Sequence, residues 1–171
     1  MTRAIALFWH AAEGAMVVLL AAMVAMVFGN VVLRYAFNSG IIVSEELSRW
    51  CFLWITFVGA VVALRDRAHL GSDFLVGRLP PAGKRACLVL GHALMLYATW
   101  LVFSGALAQV RINLDVQAPV TGASMAWVYG TGVVFAVLAA PLLVRDLWRA
   151  LSGRLADEEL VMIRGSEEER P

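Results

Sequence analysis

Hydrophobic residues gather into four long runs along the chain, separated by stretches that hold nearly all of its charge. A hydrocarbon core of roughly 30 Å is crossed by about 20 helical residues rising about 1.5 Å each. The first run predicts a span over about 14–33, with Asn30 as its one strongly polar residue. The second has its apolar centre at Trp50 to Leu64, a stretch that reaches only about 22 Å, so Ser44 to Arg49 are needed to extend it into a span over 44–65. Spans over 86–110, with His92 inside, and over 125–144, with Pro141 near the end, complete the set. A proline at membrane depth predicts a kink rather than a break, because neighbouring groups can satisfy the freed carbonyl. The expected fold is an all-α integral membrane protein with four transmembrane helices in one domain over 1–150, followed by a polar tail over 151–171.

Composition agrees: 61% of the 171 residues are hydrophobic and 16% charged, far from the usual globular balance. A net charge of +1 without a basic aromatic stretch gives no reason to expect nucleic acid. The opening MTRAIALFWHAAEGAMVVLL also has the outline of a cleaved signal peptide. Its apolar run is longer than such a peptide needs, however, Glu13 interrupts the approach, and Arg34 ends the run as an anchor would.

The basic residues sort by loop. Eleven of the 14 fall in the N-terminal tail, the second loop and the C-terminal tail, and three (Arg34, Arg49 and Arg111) in the first and third loops. The positive-inside rule then puts both termini and the second loop in the cytoplasm, with the first and third loops outside. Tyr35, Trp50, Trp127 and Tyr129 fall at outer ends, and Trp9 and Trp148 at inner ends, as interfacial anchors do. Cys51 and Cys87 lie at opposite ends of their spans, have no metal-ligand spacing, and are not expected to pair. Between the second and third spans, Leu70, Phe74, Leu75 and Leu79 recur at helical spacing until Pro80 and Pro81. This predicts a short amphipathic helix in the cytoplasmic interface, with His69 and Asp73 sharing a face that fixes it against the second span or a partner.

A pump, channel or transporter needs polar groups at depth to replace a solute's hydration shell. The spans offer only scattered Asn30, Thr56, His92, Thr99, Ser104 and Thr131, and no pair of broken helices. A self-sufficient exporter is therefore a poor fit, and a scaffold that packs against another membrane protein is a better one. A four-helix b-type cytochrome using His92 with His10 or His69 is the alternative from another class, weighed against plain interfacial histidines. No nucleophile, zincin or phosphate-binding motif is present, and no catalytic, cofactor or metal residue is expected. Gly14, Gly59, Gly130 and Gly132 could admit close helix approach, although no GxxxG occurs in the spans.

The segment VSEELSRW, residues 43–50, carries the densest charge at a membrane edge. Ser44 is placed to cap the second helix, with Glu45 and Glu46 in the first turn, where the helix dipole favours acids. Glu45 and Arg49 are spaced for an i,i+4 pair worth about 0.2–0.5 kcal/mol in an exposed helix. Arg34, Ser44, Glu45, Glu46, Arg49, Trp50, His69 and Asp73 thus form the candidate set, acting as helix anchors or as contacts to a partner chain.

Two stretches, residues 30–80 and 124–148, carry the ordered motifs NVVLRYAFN, SEEL, a tryptophan-rich span, RDRAHLGSDFL and a late WVY. In that order they resemble the small membrane subunit of tripartite ATP-independent periplasmic (TRAP) transporters, the DctQ-like or Q subunit. RDRAHL lacks the glycine that the family often has in this loop, and QAPVTGASMAWVY is shorter than the family's usual proline-bearing stretch. The resemblance implies a bacterial inner-membrane scaffold that associates with a large membrane subunit. That subunit would hold the substrate and sodium sites and move as an elevator, while a periplasmic binding protein delivers an organic acid. It implies no cofactor in this chain, and leaves C4-dicarboxylates, sialic acids and other organic acids open as substrates.

Overall fold

The computed structural model describes residues 3–66 and 80–152. Among them lie four α-helices: α1 (Arg3–Phe37), α2 (Ile42–Arg65), α3 (Pro81–Ile112) and α4 (Ala126–Leu151). All four are long and apolar enough to cross a membrane. The amphipathic segment expected to carry His69 and Asp73, and the tail beyond residue 152, lie outside the described residues.

The helices match the expected spans and extend them: the first and third run past their spans at both ends, α2 begins two residues before its span and ends with it, and α4 begins one residue after its span and runs on to Leu151. α1 has 35 residues and is about 52 Å long, well beyond the hydrocarbon thickness. Glu13 does not interrupt it, because a helix surface accommodates an acid and His10 Nδ1 lies 3.5 Å from its carboxylate, three residues away. What ends α1 is Asn38, at a φ of 49°, a left-handed conformation that asparagine tolerates better than most residues. Ser39 N–H then donates back to the Leu33 carbonyl at 3.1 Å. Pro81 occupies the first position of α3, where its missing N–H would have had no helical partner. α4 passes through Pro141 and continues along RDLWRAL to Leu151.

The chain divides into two compact units. The first comprises Met1–Val62 with Val102–Phe135 and the second Ala63–Leu101 with Ala136–Pro171. In the first, Val61 and Thr131 are almost wholly buried, and the Phe57 and Phe135 rings meet with centroids 5.6 Å apart. Glycine gives close approach at two of the four expected places. Met16 Sδ would lie 3.5 Å from a Cβ at Gly59, and Ala106 Cβ only 2.9 Å from one at Gly132, whereas Gly14 and Gly130 face open space. Trp9 is buried within the chain, with its ring edge-on to Phe8 at 5.3 Å. In the second unit Ala136, Ala139, Leu143 and Ala150 form a buried stripe on α4. There Arg85 Nε donates to the Ala150 carbonyl at 2.8 Å and Nη2 to that of Leu151, so a cation from the start of α3 closes the negative end of α4.

Gly132→Ala forces a methyl against Ala106 and is expected to destabilise the detergent-solubilised protein by about 1–3 kcal/mol, seen as a lowered Tm. Gly130→Ala, which meets nothing, should leave Tm unchanged or raise it, since alanine is favoured over glycine in a helix by about 1 kcal/mol.

Candidate functional site

The charged residues singled out in the sequence converge where α1 ends and α2 begins. Asn30 and Arg34 stand four residues apart on the last turns of α1, and a four-residue connection, Asn38 to Ile41, returns the chain beside them. The Asn30 side chain is 7% exposed and works in two directions. Its Oδ1 accepts from Ile41 N–H at 2.7 Å, satisfying an amide just ahead of α2, and its Nδ2 donates to Glu45 Oε1 at 3.3 Å. Arg34 Nη2 reaches the same carboxylate oxygen at 2.5 Å. Both partners of this ion pair are exposed by about half, so it fixes direction more than it adds stability.

These contacts change the local reading of VSEELSRW. Ser44 does not cap α2. It lies inside the first turn and its hydroxyl donates to the Ile41 carbonyl at 2.6 Å, while Asn30 serves the free amide from α1. The Glu45–Arg49 side-chain pair is not formed either. Glu45 is held by Asn30 and Arg34, and Arg49 Nε donates to the Glu45 backbone carbonyl at 3.3 Å. Ser48 is buried and donates to the Ser44 carbonyl, and Trp50 is half-buried. Between α1 and α2 a cleft of about 130 Å³ remains, with Val27 and Val31 on its apolar side and Asn30, Arg34, Glu45 and Ser48 on its polar side.

Glu46 points elsewhere. Only 5% exposed, it receives Val120 N–H on Oε2 at 3.1 Å, and Thr121 N–H at 3.2 Å together with the Thr121 hydroxyl on Oε1. Three donors on one carboxylate suit an ionised, acceptor-only group. The loop they come from is ordered by its own bonds. Ala118 N–H donates to the Ala123 carbonyl at 2.7 Å, Gly122 turns at a φ of 69°, and Gln117 bridges to Ser124. Ser124 Oγ then accepts from Ala126 N–H at 3.2 Å, an N-cap for α4. The role of Val120 and Thr121 was not legible in the sequence, because the groups used are mostly backbone amides. Pro119, Gly122 and Ser124 were the local signals of a turn.

Other polar residues at depth are turned onto their own helices. Thr56, Thr99 and Thr131 hydroxyls donate to the carbonyls of Phe52, Met95 and Val128 at 2.7–2.8 Å, and His92 Nδ1 lies 2.9 Å from the Leu88 carbonyl. Cys51 and Cys87 are both free thiols.

Residues 23–153 match the family described as tripartite ATP-independent periplasmic transporters, DctQ component. The chain belongs to the DctQ family of TRAP transporter small permease subunits. Two Haemophilus influenzae proteins named as TRAP transporter small permease proteins agree with this. One is 38% identical over 75% of this chain and 80% of its own length, the other 36% identical over 67% and 70%. The C4-dicarboxylate TRAP transporter small permease protein DctQ of Vibrio cholerae is 30% identical over 46% of this chain and 37% of its own length. The family match takes in Asn30, Arg34, Glu45, Glu46 and Thr121, so the whole cluster lies in the DctQ region. These relatives are transporter subunits, and the cytochrome alternative finds no support among them.

Asn30→Ala removes both the acceptor for Ile41 N–H and a donor to Glu45, and should lower stability by about 1–2 kcal/mol. Arg34→Ala should cost under about 1 kcal/mol, because the pair it breaks is exposed. Thermal unfolding of the two variants in the same detergent checks the order. Glu46→Ala should leave insertion intact and speed hydrogen exchange at Val120 and Thr121 by roughly tenfold or more.

Proposed function

We propose that this DctQ-family chain is the static, non-catalytic frame of a sodium-coupled uptake system in a bacterial inner membrane. It associates with a large membrane subunit that carries the substrate and sodium sites. A periplasmic binding protein delivers the substrate, an organic acid. Both termini and the second loop face the cytoplasm, and the turn between α1 and α2 lies on the outer side together with the loop between α3 and α4. The chain itself takes part in no chemical step and holds no cofactor.

One observation carries this reading. The acids at the start of α2 are engaged by structural contacts, Glu45 to α1 and Glu46 to the loop before α4. The threonine hydroxyls inside the spans are likewise closed onto their own helices. Groups used in this way stiffen a frame, whereas a solute path needs polar groups free to replace hydration water. Broad apolar surface on α1, from Val17 through Phe28 to Val32, suits a chain whose surroundings are lipid and other membrane helices.

The test is co-expression of this chain with the large subunit, mild solubilisation, and reconstitution with the binding protein and a sodium gradient. Co-purification and substrate uptake that needs both membrane chains are expected. A chain that stays monomeric beside the large subunit, or liposomes of this chain alone that show substrate flux, would sink the reading.

A further inference from the structure

From Glu45 to its end, α2 exposes four residues: Glu45, Arg49, Phe52 and Thr56. Their spacing of four, three and four puts them on one narrow stripe of the helix. The stripe is unlike the exposed surface of α1 over 14–33, where every exposed residue is glycine, alanine, valine, leucine or phenylalanine. Lipid chains demand an apolar surface of the second kind, and a stripe with an arginine in it is foreign to them.

Depth sharpens the contrast. α2 has only 24 residues, about 36 Å, so nearly its whole length is needed to cross the membrane. Counting about 30 Å back from Arg65 reaches Glu45, which puts Arg49 at the outer edge of the span, beside Trp50. An arginine there either reaches out to the headgroups or pairs with an acid or with carbonyls of a protein packed against it. Within this chain Glu45 is engaged by Arg34 and Asn30, and Glu46, whose carboxylate is held by Val120 and Thr121, feels the Arg49 charge without touching it. Arg49 has the Glu45 carbonyl at 3.3 Å through Nε, and among the described residues it forms no ion pair.

We propose that the stripe Glu45, Arg49, Phe52 and Thr56 is the seat of a transmembrane helix of the large subunit, and that this helix presents a carboxylate to the Arg49 guanidinium. Phe52, 57% exposed, supplies the apolar contact one turn deeper. Thr56 has its hydroxyl turned onto the Phe52 carbonyl, so it offers a small, satisfied surface for close approach. The inference rests on the scaffold reading above and names the face that the scaffold uses.

The complex of this chain with the large subunit tests it directly. A photo-cross-linking amino acid replacing Phe52 or Thr56 should form adducts with the large subunit. Arg49→Glu should reduce recovered complex by about tenfold, while Arg49→Lys retains most of it. Because Arg49 makes one long hydrogen bond within its own chain, insertion of each variant should be unchanged, which its membrane-fraction level checks. An intact complex with adducts only to phospholipid or to a second copy of this chain, and with Arg49→Glu assembling at the parental level, overturns the assignment of this face and leaves the scaffold reading standing. Failure of the unsubstituted chains to co-purify overturns both.

Discussion

A carboxylate carried to the edge of the hydrocarbon must find its donors within the protein, because lipid tails supply none. Two such groups stand side by side at the start of α2, and the arrangement of the first unit follows from how each is satisfied. Glu45 draws Asn30 and Arg34 from the last turns of α1. Glu46, one residue on and about 100° around the helix, draws two amides and a hydroxyl from the loop that precedes α4. A single dipeptide thereby ties the start of α2 to the end of α1 and to a loop 75 positions further along the sequence.

Asn30 completes the arrangement. An amide side chain is both donor and acceptor, so one buried residue can serve the start of α2 and the Glu45 carboxylate at once. A serine cap would have satisfied a backbone group within α2 alone. With the cap supplied from α1, the turn between the helices is fixed at both ends, and a Cβ added at Gly40 would already lie 3.5 Å from the Asn30 and Arg34 side chains. The same logic recurs in the second unit, where Arg85 from α3 closes the carbonyl end of α4. Two helix ends, the start of α2 and the end of α4, are thus finished by other helices, which suits a subunit whose proposed task is to hold a shape.

Much of this was legible from patterning. The lengths of the apolar runs located all four helices, because hydrocarbon thickness leaves few ways to place about 20 apolar residues. The runs marked only the apolar centres, so α1 and α3 proved longer than the spans read from them. Helix propensity continues through residues such as Glu13 that a membrane-length argument treats as a boundary. The charged set around VSEELSRW was also visible, but its pairing was not. A rule based on neighbours in one helix joined Glu45 to Arg49, whereas the structure offered Glu45 a nearer cation and a buried amide from α1.

The sequence by itself determined the class of molecule, the number of spans and the family, since each depends on residue order alone: runs of apolar residues, and motifs at fixed spacing. Tertiary structure decided which donor answers which acid, that Gly132 is the glycine pressed against Ala106, and that Trp9 is covered. The physical reason is common to all three. Polar satisfaction and close packing are settled between segments remote in sequence, and several of the groups involved, the Ile41, Val120 and Thr121 amides among them, belong to the backbone that every residue shares.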